Sequence, residues 1–498
     1  MAQDIFNRQQ GRDMGTQFVS LQAGEDDTGI FYYETENAIA SVCLYKPVTG
    51  WSSAMGDAVT TLLGSDYPGG TLMQFQQWGI PNLEQTVSEY LDARDGVTGD
   101  ESVIIAREAA IKRADYLRSG TTRRLLPTTD TTLTDSLCAW TLKIPLKFKN
   151  PLSPGNERKF KEACDHFLSI RQQCLTQLEV AGIRARVAGR GETMALLRRY
   201  FNMYGRWDAG VCEDEALNEQ LFPVGSSVDW ESRQKSTLLC KNFDAEDSHQ
   251  HVGILTIDRF PDESRPWHMS QMGELLGDPS GSGPQPGMPY MLSTTIHFPN
   301  QDAKRSKFRA NQTTTERAAG MPGALKFSPR LRSRLQSFRE TDKMILQGGN
   351  LVEVNMSMCL FAQSRRKLRA SLSRMAAYHA TKGFVMRQER FIPAISFLNN
   401  MPMNPSPVSI RNTHRFKTMP SILAAHLLPI MDEWQGYGNR MLLTTRRGKV
   451  FRCGIFDKNN TNFNALISAK TGAGKSFFSQ RLTQDELSLG TKVWTIDK

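Results

Sequence analysis

The stretch Asn464-Ala465-Leu466-Ile467-Ser468-Ala469-Lys470-Thr471-Gly472-Ala473-Gly474-Lys475-Ser476-Phe477-Phe478 carries the strongest chemical signal in the sequence. An apolar run leads into a glycine-containing turn, then Gly-Lys-Ser, then a segment with helical character, which is the strand-loop-helix order of a P-loop. Two glycines let the backbone bend so that its N–H groups point at phosphate oxygens, and the helix that follows adds the positive end of its dipole. We therefore predict a loop that binds a nucleoside triphosphate.

Each residue of this loop has a chemical role in the prediction. Lys475 would reach the outer phosphates and the Ser476 hydroxyl would bind Mg²⁺, so these two form the predicted catalytic set, with ATP and Mg²⁺ as cofactors. The predicted nucleotide-binding residues are Thr471, Gly472, Ala473, Gly474, Lys475, Ser476 and Phe477. Ala469 stands where the pattern usually has its first glycine, a mild departure if its φ is negative. The alternative is an ordinary strand-to-helix turn with an exposed lysine.

Length and composition place the chain among globular proteins. At 498 residues, with 39% hydrophobic and 22% charged residues, it is long enough for about three domains. The longest apolar candidate for a membrane span, residues 422–431, is far short of the roughly 20 residues needed and contains His426 and Pro429. The first residues lack the apolar core of a signal peptide. We therefore expect a cytoplasmic chain.

The eight cysteines are scattered, with no C-x-x-C pair, and we interpret them as reduced core thiols. Cys240 with His249 and His251 forms the only group that resembles a metal site. Its spacing fits no standard zinc pattern, so solvated loop histidines are the preferred interpretation.

Positive charge is concentrated in one part of the chain. Residues 301–390 hold 19 Lys and Arg against six Asp and Glu, a net charge of +13, while the whole chain carries +10. Such a block could contact DNA, anionic lipid or an acidic partner. Solvated helix faces are the alternative. The block has few aromatic residues that could stack on bases, which weakens the case for single-strand binding.

The pattern of apolar residues predicts mixed α and β structure throughout. Strands are expected at 30–33, 38–45, 71–78, 138–148, 183–187, 251–260, 290–298, 351–361 and 384–388, with a hairpin from 441–445 and 450–456. Helices are expected at 82–91, 101–117, 157–180, 192–203, on both sides of Gly320-Met321-Pro322-Gly323 within 302–347, at 364–381, and briefly near Met419. The two strand-helix-glycine-strand units suggest an internal duplication.

The predicted fold class is α/β: mixed α+β N-terminal domains followed by the start of a RecA-like P-loop NTPase domain. We predict an N-terminal docking domain at 1–230, a second α+β domain with basic helices at 231–405, and an incomplete P-loop domain at 406–498. In the last of these, residues 464–468 would be the strand before the loop. Val493-Trp494-Thr495-Ile496-Asp497 would be a buried strand with an acidic residue at its carboxyl end.

Residues 351–498 resemble the TraC-like assembly ATPases of type IV secretion and conjugative DNA transfer. The resemblance rests on an ordered series of features rather than on the P-loop alone. The series is the strand-helix-strand unit at 351–388, Phe397-Leu398 to Met401-Pro402, Gly454-Ile455-Phe456-Asp457, Asn459-Asn460-Thr461-Asn462-Phe463-Asn464, the P-loop, and Ile496-Asp497. Residues 1–350 resemble the family only in size, mixed character and position.

The resemblance implies a cytoplasmic motor, peripheral to the inner membrane, that docks on components of a secretion channel. Such motors are typically hexameric and use ATP hydrolysis in pilus biogenesis and in substrate transfer. The family's catalytic carboxylate and arginine finger have no counterpart before Lys498, so we expect an N-terminal part of a motor that binds ATP but hydrolyses it at background rate. Two other classes stay open: a DNA-pumping translocase or coupling protein, and a docking scaffold with an inert loop.

Overall fold

The computed structural model describes residues 19–125, 131–151, 153–205, 210–213, 215–222, 226–229, 237–242, 249–262, 265–322 and 324–496. Its strands are β1 Leu21–Gly24, β2 Phe31–Tyr33, β3 Ala38–Tyr45, β4 Thr71–Ile80, β5 Asp135–Pro145, β6 Arg186–Val187, β7 Ser226–Asp229, β8 Leu238–Asn242, β9 Gln250–Arg259, β10 Tyr290–Phe298, β11 Leu351–Ala362, β12 Val385–Gln388, β13 Lys417–Pro420, β14 Met441–Thr444 and β15 Val450–Cys453.

The α-helices lie between and beyond these strands. They are α1 Ser53–Gly64, α2 Glu84–Asp92, α3 Glu101–Ser119, α4 Glu157–Val180, α5 Arg190–Phe201, α6 Gln301–Ala319, α7 Ala324–Phe327, α8 Pro329–Leu346, α9 Arg365–Thr381, α10 Pro393–Asn400, α11 Pro407–Thr413, α12 Ser421–Ala425 and α13 Lys475–Leu487. Two 3-10 helices, Leu217–Gln220 and Met269–Leu276, complete the secondary structure of the described residues.

The chain divides into two compact units that are discontinuous in sequence. The sheet unit comprises Met1–Trp78, Leu137–Leu276 and Tyr290–Asp432, and the helical unit comprises Gly79–Ser136, Gly277–Pro289 and Glu433–Lys498. The predicted ranges 1–230, 231–405 and 406–498 have different boundaries from these units and stay a prediction.

The sheet unit is built on one large sheet whose main path runs β1-β2-β3-β5-β4-β10-β11-β9-β8-β7. Outside this path, β6 pairs with β3, β12 with β9 and β13 with β11. The sheet is antiparallel. In the β3–β5 pair, for example, Ala38 lies opposite Pro145, and in the β10–β11 pair Tyr290 lies opposite Leu360. The expectation of mixed α and β structure is thus confirmed, with a large antiparallel sheet.

Two segments of this sheet share one topology. The first, β3-α1-β4-β5-α4-β6, has the strand order β6-β3-β5-β4, and the second, β9 to β12, has the order β12-β9-β11-β10. Both are the split βαβ arrangement of a ferredoxin-like unit, with a 3-10 helix in place of the first helix of the second segment. They meet where β4 pairs with β10, so the topology supports the suspected internal duplication.

Local sequence explains the best-predicted elements. Helix α4 has the predicted bounds, and Phe167, Cys174 and Leu178 on its predicted apolar stripe are buried. It ends before Gly182, whose φ of +78° lies in the left-handed region that glycine adopts at low cost. Strands β3 and β10 also have the predicted bounds, and all nine residues of β10 are buried.

Between β10 and β11 the chain forms a helical hairpin, α6, α7 and α8, which we call the arm. Its two long helices are the ones predicted on either side of 320–323, of which Gly323 lies outside the described residues. Few arm side chains are buried, Thr315 and Leu335 being the buried ones among those described. The rings of Phe308 and Phe338 meet edge to face at 5.2 Å and join the helices.

A charged cluster fixes the root of the arm to the sheet. The ammonium of Lys304 on α6 pairs with Oε1 of Glu353 on β11, and Nδ1 of His297 on β10 lies 2.8 Å from Oε2. The hydrogen bond with His297, together with Lys304, lowers the pKa of Glu353 to about 2. Ionised Glu353 therefore holds the arm at neutral pH.

We expect Glu353→Gln to remove an acid-sensitive part of the stability. Because the pKa of Glu353 is depressed in the folded state, its contribution is full above the ordinary value of 4.5 and is lost as the pH falls toward about 2. After discounting for solvent around the partly exposed carboxylate, the loss should be about 1 to 2 kcal/mol. Urea unfolding at pH 7 and pH 3.5 measures it, and an equal pH dependence in both proteins would contradict it.

Candidate nucleotide-binding loop

The loop predicted to bind phosphate ends at the start of a 13-residue helix, α13. Gly472 and Gly474 have φ values of +77° and +91°, so both occupy the left-handed region that a side chain disfavours. The N–H of Ala473 donates to the carbonyl of Lys470 at 3.1 Å, which closes the turn before the helix. The two predicted glycines are therefore where the backbone bends.

The predicted site residues lie together in this turn and the first turn of α13. Every residue from Thr471 to Phe477 is exposed, and the side chain of Phe477 is 76% exposed. Lys475 and Ser476 are the first two residues of the helix, where backbone N–H groups have no partner one turn earlier. The arrangement offers N–H groups, an ammonium and a hydroxyl to an anion from one end of a helix.

The strands predicted on either side of this loop are absent from the structure. Residues 464–468 and 493–496 form no strand, and Asp497 lies outside the described residues. Leu466 is 96% exposed and Ile496 is 97% exposed. Apolar sequence favours a strand only where a neighbouring strand accepts its backbone hydrogen bonds. In the described part of the helical unit, β14 and β15 pair with each other, and neither 464–468 nor 493–496 joins a strand, so both strand predictions are wrong here.

The far end of α13 is held by a buried polar cluster that the sequence analysis missed. Asp485 is 1% exposed and accepts hydrogen bonds from the Tyr90 hydroxyl at 2.6 Å and from Arg481 at 2.8 Å. The guanidinium of Arg94 lies 3.5 Å from the same carboxylate oxygen. Burial raises the pKa of Asp485, while Arg481 opposes that shift.

Arg94 connects this carboxylate to three other parts of the helical unit. It donates to the Ser488 hydroxyl at 2.7 Å and to the backbone carbonyls of Tyr90, Asn439 and Arg440. Its guanidinium also lies 3.6 Å from the centroid of the Tyr90 ring. A single buried cation thus joins α2, the segment before β14 and the end of α13.

The next residue of the helix makes a second ion pair. Glu486 accepts from Arg440 through both carboxylate oxygens, with Nε 2.8 Å from Oε1. The hydroxyl of Thr491 donates to Glu486 at 3.1 Å. The acidic pair Asp485-Glu486 looks like a solvated helix face in the sequence. Because its partners are as many as 395 residues away, no local pattern could have identified it.

An apolar core lies beneath this cluster and includes residues from three segments of the helical unit. The hairpin strands β14 and β15 supply Leu442 and Val450, which pack with Tyr90 of α2 and Leu117 of α3. Helix α13 packs on α3. The stretch 79–136, which the sequence analysis placed in an N-terminal domain, therefore supports the helix that follows the loop.

Other candidates from the sequence have less support. Cys240 is buried on β8, and His251 lies on the adjacent strand β9 opposite Leu239, so the interpretation of His251 as a loop histidine is wrong. Among the described residues no group of three or more metal-binding side chains is found. The basic block covers the arm, β11, α9 and β12. In the described ranges, no helix is long and apolar enough to cross a membrane.

A family model described as TraC protein matches residues 23–405, more than three quarters of the chain. The chain belongs to the TraC family. The matched range contains both ferredoxin-like segments and the arm, together with the stretches Gly79–Ser136 and Gly277–Pro289 of the helical unit. The match supports a part in type IV secretion and conjugative transfer. A comparison with curated proteins finds no match.

The matched range ends before the candidate loop. Residues 406–498 lie outside the match, so evidence for the family and evidence for a nucleotide site come from separate stretches of this TraC-family chain. The N-terminal part, in which the sequence analysis found little resemblance, carries most of the match.

Proposed function

We propose that this TraC-family chain binds Mg²⁺-ATP at residues 469–477 and belongs to a motor that uses ATP hydrolysis in pilus biogenesis and substrate transfer. Gly472 and Gly474 shape the phosphate-binding turn, and Lys475 contacts the outer phosphates. The Ser476 hydroxyl is the protein's ligand to Mg²⁺, with Thr471, Ala473 and Phe477 completing the loop around the nucleotide.

The single observation that carries the proposal is the backbone of the loop. Two glycines with positive φ are followed at once by Lys-Ser at the start of a helix, and this combination supports a phosphate-binding turn. Nothing lies within 4 Å of a Cβ placed on Gly472 or Gly474. The space beside both glycines is therefore open.

Binding of a fluorescent ATP analogue to Lys475→Ala tests the lysine. Loss of one charge-assisted contact of about 1.5 to 3 kcal/mol should weaken affinity by about 10- to 100-fold. Lys492→Ala is the matched control, because Lys492 is another exposed lysine of the helical unit. Equal affinities of the two variants would remove the support for a phosphate contact.

Two glycine variants test whether nucleotide binding needs the left-handed backbone at Gly472. Gly472→Ala should cost about 1 to 2 kcal/mol in the left-handed conformation and weaken nucleotide binding. Gly96→Ala places the same strain elsewhere in the helical unit, since Gly96 has a φ of +68° and equally open surroundings. We expect only the first to change affinity. If both variants bind equally well, the glycine has no role in the site.

Metal dependence tests the hydroxyl. We expect chelation of Mg²⁺ to weaken nucleotide binding by the wild-type chain and to have little further effect on Ser476→Ala, because that variant lacks the protein ligand. Titration of the analogue with and without chelator gives both values. A Ser476→Ala protein that keeps the full Mg²⁺ dependence would contradict the assignment.

Docking is proposed to be independent of nucleotide. The sheet unit would contact inner-membrane channel components and neighbouring subunits of a hexamer, so Lys475→Ala should leave assembly intact while transfer stops. The test needs the whole chain. A shorter fragment that ends at residue 350 would lack β11, which pairs with β9, β10 and β13 in the middle of the sheet. Pull-down of channel components with the whole chain, wild type against Lys475→Ala, is the measurement.

The other classes give different outcomes in these experiments. A docking scaffold binds channel components but shows no nucleotide affinity above Lys475→Ala. A DNA-pumping translocase binds duplex DNA through residues 301–390, with an affinity that falls steeply as salt rises.

A further inference from the structure

The tip of the arm combines positive charge with exposed apolar side chains. We define the tip as residues 317–322 and 324–332. It carries Arg317, Lys326, Arg330 and Arg332 and has no acidic residue. All four basic side chains are exposed. Glu316 directly precedes the tip, and the other acidic residues of the arm, Asp302, Glu340 and Asp342, lie nearer its root.

Two apolar side chains project from the same tip. Phe327 is 83% exposed and Met321 is 65% exposed, and they flank the turn between the two long helices. Helix α6 alone is about 28 Å long at 1.5 Å per residue, so the tip can stand well away from the strand ends where the arm begins. The two side chains therefore place apolar surface beside the basic residues at the end of a polar, exposed hairpin.

We propose that the tip of the arm binds an anionic membrane surface. Phe327 and Met321 enter the interfacial layer while the four basic side chains contact lipid phosphate groups. Clustered Lys and Arg are attracted to anionic leaflets, and apolar side chains beside them add area removed from water. This site is independent of the candidate nucleotide loop.

The observations favour a lipid surface over nucleic acid. Duplex DNA would use the cations but would gain little from two exposed apolar side chains, because phosphate contacts dominate such binding. Single strands need aromatic platforms for stacking. Of the three arm phenylalanines, Phe308 and Phe338 contact each other, which leaves Phe327 alone for that purpose.

Vesicle co-sedimentation of the whole chain tests the proposal. Vesicles of phosphatidylglycerol and phosphatidylcholine in equal parts should retain the protein at low salt, and phosphatidylcholine vesicles should not. The double variant Lys326→Glu with Arg330→Glu should reduce binding by at least about tenfold, because each basic residue near the membrane surface adds to the attraction for anionic lipid. Phe327→Ser with Met321→Ser should reduce it by about tenfold through lost apolar contact.

Matched controls use equally exposed positions elsewhere in the sheet unit. Phe391 is 88% exposed, and Lys367 and Arg369 are exposed on α9. Phe391→Ser, and Lys367→Glu with Arg369→Glu, should bind vesicles like the wild type. ATP-analogue binding should be unchanged in all these variants, so failure of the membrane proposal is distinguishable from failure of the nucleotide proposal.

Three results would overturn the proposal: no binding of the wild type to anionic vesicles, wild-type binding by both tip variants, or an equal loss in the controls. Competition by duplex DNA that removes the protein from vesicles, with tip variants that lose DNA binding only through the charge changes, would assign the tip to nucleic acid instead.

Discussion

Arg94→Met is expected to destabilise the helical unit by about 3 to 5 kcal/mol, because it takes a buried cation away from a buried carboxylate and leaves backbone carbonyls without their donor. Asp485 would keep Arg481 and Tyr90 but lose the cation 3.5 Å away. The carbonyls of Asn439 and Arg440 would also lose a donor, at additional cost.

Hydrogen exchange at the amides of α2, α3 and α13 measures this loss within the helical unit, where a global unfolding curve would mix contributions. Arg118→Met is the matched control, because Arg118 belongs to the same unit and its 3.1 Å pair with Glu84 is at the surface, with the two side chains 33% and 61% exposed. That change should cost no more than about 1 kcal/mol. Protection of α13 that is equal in the two variants would show that the cluster does not hold the helix.

A double variant separates the ion pair from the other contacts of Arg94. If the ion pair dominates, Arg94→Met combined with Asp485→Asn should cost less than the sum of the single changes, since the buried carboxylate that lost Arg94 is then neutral. If the carbonyl contacts dominate, the costs should add. None of these variants changes a residue of the candidate loop. A change in their affinity for the ATP analogue would therefore show that the loop depends on how α13 is held.

Tyr200→Ala should destabilise the sheet unit by about 3 to 5 kcal/mol, the usual cost of emptying a large buried aromatic site. Tyr200 is fully buried, stacks on Phe397 with centroids 4.4 Å apart, and meets Trp78 and Phe361 edge to face. Trp78 belongs to the first ferredoxin-like segment and Phe361 to the second. One side chain of α5 therefore helps to pack both segments.

Tyr200→Phe separates the hydrogen bond of Tyr200 from its ring contacts, and Phe391→Ala serves as the control. Its hydroxyl donates to the carbonyl of Phe397 at 2.7 Å, so Tyr200→Phe should cost about 1 to 3 kcal/mol for the unpaired carbonyl while keeping the ring contacts. Phe391→Ala, a truncation of an aromatic ring that is 88% exposed, should cost about 0.5 kcal/mol or less. Urea unfolding followed by tryptophan fluorescence measures all three. A cost of Tyr200→Ala no larger than that of Phe391→Ala would contradict the packing argument.

The amino-acid sequence predicted the local features of this protein well. Apolar periodicity located α4, β3 and β10 with the bounds that the structure has, and the arm as two helices around a glycine-containing turn. The glycines at 472 and 474 marked the bend before α13. These features depend on interactions between residues within one or two turns of each other, so a short stretch of sequence is enough to predict them.

Tertiary structure alone decided what joins distant stretches. The pairing of β4 with β10, the packing of α13 on α3 and the hydrogen bond from Tyr90 of α2 to Asp485 of α13 join residues hundreds of positions apart. An acidic residue such as Asp485 is typical of a solvated helix face. It is buried here because the fold brings Arg94 and Tyr90 to its carboxylate. Residues 464–468 have the composition of a strand and form none, because a strand needs a neighbouring edge to receive its hydrogen bonds.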